Sequence, residues 1–199
     1  AGALRALAGC GTAEQVPVVL ETVADPPPQE RAEALRAATA LLAPTKPDGR
    51  AVEPLAATLN NPRTSPRERA SVATLLGRTG APRAATELIG LVNAKDETLR
   101  LAAIDALGAL GGAATVQDQA DDALVPLLAD TEPQVRLHAA IAIAASGGIK
   151  ARKLLLTKLA GGEELDRYAL FTALGGVLER HPDDASAKRA FAELGVAAG

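Results

Sequence analysis

The sequence predicts an all-α fold: a right-handed α–α superhelix, or solenoid, of about five antiparallel helical hairpins with a half-repeat at each end. Three observations predict it. Of the 199 residues 45 are Ala, aromatics make up 2%, and Trp and Met are absent. Ala is the best helix former, and a core of Ala and Leu demands closely packed helices, whereas a sheet wants more β-branched and aromatic residues. An arginine recurs at Arg31, Arg69, Arg100, Arg136 and Arg167, at intervals of 38, 31, 36 and 31 residues. Three and seven residues past each come two apolar side chains: Ala34 and Ala38, Val72 and Leu76, Ala103 and Leu107, Ala139 and Ile143, Leu170 and Leu174. That spacing makes one apolar stripe per helix.

The arginine lead-in is itself repeated. Asp25, Pro28, Gln29 and Arg31 match Asp130, Pro133, Gln134 and Arg136 at the same offsets, and Pro66 precedes Arg69 in the same way. Eight residues past the arginine a small residue is common, as in Gly77, Gly108, Gly175 and Ala144, which permits close backbone approach or helps end the helix.

A second helix precedes each of these, marked by Val16-Val19-Val23, Val52-Leu55-Leu59, Leu88-Leu91-Val92, Leu124-Leu127-Leu128 and Leu155-Leu159. Pro17, Pro54 and Pro126 fall near the expected helix starts, where a missing N–H costs little. Turn formers separate the helices: Pro26 to Pro28, Asn60 to Pro62, Asn93 to Asp96, Ala129-Asp130 and Gly161-Gly162. The expected hairpins span roughly 13–43, 50–79, 82–110, 119–147 and 150–178 in one array covering 1–199. Neither helix of a hairpin can bury its stripe alone, so stacking closes the core.

Leu4 to Ala8 reads as the tail of a preceding hairpin. A final helix is expected near 184–194, with Ala187, Ala190, Phe191 and Leu194 on one face, Asp183 and Asp184 as caps, and a frayed tail behind it. A half-repeat at each end suits a piece of a longer array; a complete protein with capped ends is the alternative. The long intervals of 38 and 36 residues place extra residues in loops Pro44–Arg50 and Gly112–Ala120.

Arg100-x-x-Ala103-Ile104-x-Ala106-Leu107-Gly108-x-Leu110-Gly111 resembles the second helix of a HEAT-like repeat, and more narrowly the short bacterial subtype also found in phycobiliprotein lyases. Val135 to Ala144 and Arg69 to Gly77 carry the same pattern. The resemblance covers most of the chain and is weaker in the first and fifth copies. It implies an armadillo-like fold used for protein–protein interaction or scaffolding. It also implies that the repeat arginine meets an acidic group of the inter-helix turn, joining Arg100 to Asp96 and Arg136 to Asp130 in the same or an adjacent repeat. Even without the resemblance, one guanidinium per hairpin at a fixed offset reads as structure, because its five donors can bond turn carbonyls and a carboxylate.

Composition narrows function further. The net charge is −3, which argues against nucleic acid as a partner while leaving room for a local basic patch. Outward positions two, five and nine past each arginine show no continuous charge stripe. The longest apolar run, Ala139 to Ala145, is far short of a membrane span. Cys10 is the single cysteine, which excludes an intrachain disulfide and a cysteine-rich metal site, and it reads as a small buried or half-exposed apolar residue. His138 and His181 are 43 residues apart, too far in a solenoid to share a metal; His181 reads as finishing the fifth hairpin.

No nucleophile elbow or phosphate loop is present, and the acidic pairs Glu163-Glu164 and Asp121-Asp122 read as helix starts. No catalytic residue, cofactor or metal is therefore expected.

One feature points to a partner. Leu101, Leu137 and Tyr168 align one residue past their arginines, and the outward row turns apolar around His138 and Ile141. These five residues are the candidate partner groove, with Tyr168 supplying a ring with a polar tip. The expected function is a non-catalytic protein-binding or scaffolding module, part of a larger bacterial protein. Its partner would be another protein or another domain of the same protein, with a slight preference for the cytoplasm. The alternative is a lyase-type or chaperone-like accessory factor that cradles a cofactor-bearing partner, which would show a deep pocket holding Tyr168 and a carboxylate.

Overall fold

The computed structural model describes residues 2–12, 15–16, 18–19, 28–42, 49–110, 114–160, 166–182 and single positions at 185, 188 and 192. Pro17, Val23, the Pro26–Pro27 turn, loop 43–48, Gly111 to Ala113, Gly161 to Leu165, the caps Asp183 and Asp184, Phe191 and the tail lie outside them, as does the side chain of Arg31. The chain divides into two compact units, Ala1–Gly112 and Ala113–Gly199.

In the first unit α1 (Gly2–Cys10) packs on α2 (Pro28–Leu41). A 3-10 turn (Gly49–Ala51) leads into α3 (Val52–Asn60), followed by α4 (Pro66–Arg78), α5 (Pro82–Ile89) and α6 (Glu97–Leu110). The second helices form one layer in chain order, α1 on α2, α2 on α4, α4 on α6, while α3 backs α4 and α5 backs α6. Local chemistry sets the helix starts. Pro66 and Pro82 take the first helical position, and Ser65 with Glu68 closes a capping box. Asp96 caps α6 by accepting from Leu99 N at 2.8 Å.

The second unit holds α7 (Ala114–Leu124), a 3-10 turn (Val125–Ala129), α8 (Pro133–Ser146), α9 (Ile149–Ala160) and α10 (Arg167–Arg180). Here α8 packs on α10, with α7 and the 3-10 turn behind α8 and α9 behind α10. Among the described residues there is no strand.

The apolar stripes face inward throughout: the two residues three and seven past each arginine are at most 3% exposed in all five copies. Full burial of a Leu or Ile side chain contributes about 1.5–3 kcal/mol, which is why the side-by-side layer holds.

Several local expectations are corrected. Gly175 has nothing near its missing Cβ, whereas Gly176 lies against Ala144; the close approach in the fifth copy falls one residue later than the repeat offset. Pro126 stands near the start of the 3-10 turn that follows α7, where its missing N–H ends the α-helical ladder. Residues expected in loop 112–120 are helical from Ala114, so the long spacing lengthens a helix. Asp121 and Asp122 lie in the last turn of α7, not at a helix start. Leu91 and Val92 sit in the turn after α5. Cys10 is exposed.

Candidate functional site

Three of the repeat arginines turn back onto the hairpin that carries them. Arg69 Nη2 donates to Asn61 O at 3.2 Å, Arg100 Nε to Val92 O at 2.8 Å, and Arg136 Nη1 to Asp130 O at 2.9 Å and Thr131 O at 3.1 Å. In each case the acceptor is a carbonyl of the inter-helix turn, five to eight residues upstream, where helix ends leave carbonyls outside the helical ladder. The carboxylate beside Arg136 is Asp166, 3.4 Å from Nε, one turn further along the chain. This corrects the expected pairing with the Asp130 side chain, which instead accepts from Glu132 N at 3.0 Å. Likewise the Asp96 carboxylate is used on Leu99 N, at 2.8 Å. Arg167 is exposed, and its guanidinium makes no hydrogen bond among the described residues.

A second set of arginines escaped the repeat pattern. Arg78 Nη2 donates to Leu42 O at 3.1 Å, just past α2. Arg180 donates to Ile143 O at 3.1 Å, to Gly147 O at 2.8 Å and to Ala144 O, all at the C-terminal end of α8. Arg152 reaches His181 O at 2.9 Å. Cations at helix C-termini meet unpaired carbonyls and the negative end of the macrodipole. Burial pushes the Arg180 pKa down, against the attraction of Asp121 and Glu179. The signal was an Arg in the last turn of α4 and of α10, but only packing reveals that the acceptor belongs to the preceding hairpin.

Asp121 is 1% exposed. Its Oδ2 accepts from Gly148 N at 3.1 Å and Ala151 N at 2.9 Å, capping α9 from α7. Burial raises its pKa, the two backbone donors oppose this, and Asp118 and Asp122 add to the rise.

The five candidate partner residues are placed as follows. Leu137, His138 and Ile141 lie on α8 and Tyr168 in the first turn of α10, the helix packed on α8. Tyr168 is 72% exposed and Ile141 50%; Leu137 and His138 are half-buried. Leu101, also half-buried, belongs to α6 of the first unit.

The first unit carries two adjoining grooves on its second-helix layer. One, of about 300 Å³, lies between α1 and α2 over Leu4, Arg5, Glu33 and Arg36. The other, of about 500 Å³, lies between α2 and α4 over Arg36, Thr39, Ser65, Arg67, Glu68 and Ser71. At 2.5 Å, Arg5 Nε donates to Glu33 Oε1, and Arg36 Nη1 reaches the other oxygen. The hydrogen bond from Arg5 is the main cause that holds the Glu33 carboxyl below its usual range; burial works against it, and Arg36 assists. Among the described residues no group of three metal-ligating side chains forms, and no helix is long and apolar enough to cross a membrane.

Residues 52–121 match the family model described as HEAT repeats. Comparison with curated proteins gives no match. Among solved structures, an engineered protein is 22% identical, with 88% of each chain covered and a TM-score of 0.57. A designed armadillo repeat protein in complex with the peptide (KR)4 is 20% identical over 97% of this chain and 90% of its own, with a TM-score of 0.54. A further engineered protein is 21% identical over 97% of this chain, which spans 54% of its length, with a TM-score of 0.56. The chain therefore has a HEAT/armadillo-like repeat fold, an all-helical solenoid of repeated hairpins.

Proposed function

We propose that the chain is a non-catalytic protein-binding or scaffolding module whose partner docks on the outward face of α8 and the first turn of α10. The partner is another protein or another domain of the same protein. The observation that carries this reading is the exposure of Tyr168 and Ile141, 72% and 50%, on two helices packed side by side. Exposed rings with a polar tip and exposed aliphatic side chains are enriched where interfaces form. The HEAT/armadillo-like fold supports it by analogy, since the designed relative was solved with a bound peptide.

The repeats resemble the short bacterial type also found in phycobiliprotein lyases, a reading supported by the Arg100 to Gly111 pattern. The accessory-factor alternative gains nothing from Tyr168, which is in solvent and lines none of the grooves described above.

Affinity capture with the wild-type chain and with Leu137→Ala, Ile141→Ala and Tyr168→Ala tests the surface. The expected result is a partner held by the wild type and lost from the Tyr168 and Ile141 variants while their helicity is unchanged. Capture that survives all three substitutions removes the assignment.

A further inference from the structure

Arg5 of α1, Arg36 of α2 and Arg67 of α4 succeed one another at intervals of 31 residues. The α1–α2 groove is lined by the first two and the α2–α4 groove by the last two, so Arg36 is common to both.

Two acids line this face, and each is engaged within the chain. Glu33 is 8% exposed and sits beneath Arg5 and Arg36, whose side chains are each 74% exposed. Glu68 accepts from Ser65 N at 2.9 Å and from Ser65 Oγ at 2.7 Å, so its charge serves the cap of α4. Arg67 is the second residue of α4, where the macrodipole already makes the surface positive. Its guanidinium makes no hydrogen bond or ion pair among the described residues. Each guanidinium offers five donors, and Arg5 and Arg36 give only one nitrogen each to Glu33. The surface is thus a row of cationic forks with the half-buried Glu68 and the hydroxyls of Thr39, Ser65 and Ser71 between them; these hydroxyls donate to Leu35 O, Glu68 Oε2 and Arg67 O, which leaves their oxygens to accept.

We propose that this row binds an acidic peptide in extended conformation, laid across α1, α2 and α4. Packed helices stand about 8–10 Å apart. Arg36 and Arg67 also differ by seven positions relative to their repeat arginines, about 10 Å along the helices; an extended chain advances ~3.3 Å per residue, so carboxylates about three residues apart suit Arg5 and Arg36 and about four apart suit Arg36 and Arg67. The arginine forks take the carboxylates, and the hydroxyl oxygens of Thr39 and Ser71 accept from peptide N–H groups. This surface lies in the first unit and is independent of the one on α8 and α10, so either reading survives the failure of the other.

Fluorescence anisotropy on the full chain tests it. The probes are a labelled peptide with Glu at alternating intervals of about three and four residues in a Gly/Ser background, its Lys and phosphoserine counterparts, and oligothymidylate. The expected result is saturable binding of the Glu peptide and none of the Lys peptide. Arg36→Ala should weaken binding about tenfold, and Arg5→Ala and Arg67→Ala about threefold each, the difference reflecting the shared position of Arg36. Lys153→Ala, a charge loss on α9, should leave the affinity unchanged. Arg36→Ala also removes one clamp from Glu33. Arg67→Glu has no ion pair to lose and keeps the test sound if that variant folds poorly. The proposal is overturned if Glu and Lys peptides bind alike, or if Arg67→Glu leaves the affinity of the Glu peptide intact. Tighter binding of oligothymidylate or of the phosphoserine peptide assigns the surface to a different ligand and overturns it as well.

Discussion

Gly77 of α4 lies directly against the backbone of Ala106 of α6: a Cβ on Gly77 would stand 2.7 Å from the Ala106 carbonyl oxygen and 2.8 Å from its Cα. The two second helices approach until only a hydrogen fits between them. Gly176 repeats the arrangement against Ala144 in the second unit, at 2.6 Å from its carbonyl oxygen.

Gly77→Ala is therefore expected to destabilise the chain by about 1–3 kcal/mol, because backbone must move. Gly175→Ala should do the opposite. Its Cβ would meet nothing within 4 Å, so the better helix propensity of Ala is realised, worth about 0.5–1 kcal/mol. Urea denaturation of the two variants checks both signs at once. Equal effects would mean that helix packing at Gly77 is not tight.

Arg180→Ala removes the donor group that closes the end of α8. A loss of about 1–2 kcal/mol is expected, since hydrogen bonds from a charged group to helix-end carbonyls are lost. Arg180→Lys should restore less than half of it, because an ammonium cannot span three separate carbonyls with a planar fork. Thermal melts of the three chains decide the point.

Asp121 makes stability depend on pH in an unusual direction for a carboxylate. Burial raises its pKa in the folded chain, so the folded state holds the proton at a pH where the unfolded state has released it. The stability contributed by this group therefore grows as pH falls through the folded pKa. It levels off below the unfolded value of about 3.9. Asp121→Asn keeps an acceptor for Gly148 N and Ala151 N but does not titrate. The stability of the wild type relative to Asp121→Asn should rise from neutral to weakly acidic pH, as measured by urea denaturation at both. A difference that is flat or falls with acid would contradict the burial assignment.

Tyr168→Ala and Ile141→Ala should leave stability within about 0.5 kcal/mol, because exposed side chains carry little folding energy. Ile143→Ala, two residues from Ile141 but fully buried, should cost about 2–5 kcal/mol. The contrast separates a surface available to a partner from the core beneath it, and differential scanning calorimetry reads it.

The inward stripes were legible from spacing, since a residue's face on a helix follows from its position modulo 3.6, and Leu107, Ile143 and Leu174 are all buried. Arg69, Arg100 and Arg136 meet turn carbonyls because a fixed offset from the turn returns the guanidinium to it, whereas Arg167 at the same offset does not among the described residues. The acidic partner of Arg136 was not legible, because Asp166 reaches it across the hairpin boundary.

The row Arg5, Arg36, Arg67 stayed hidden for a related reason. Arg36 lies five residues past its repeat arginine and Arg67 two before, so an alignment by offset separates what the grooves bring together.

The amino-acid order by itself determined that this chain is helical and which stripe each helix buries, because those properties are set within one or two turns of chain. Tertiary structure alone decided the rest: that Gly176 rather than Gly175 meets its neighbour, that Asp121 caps a helix it does not belong to, and that three arginines share two grooves. Such relations depend on the small translation and rotation between stacked hairpins, a quantity summed over many weak contacts and encoded in no single residue.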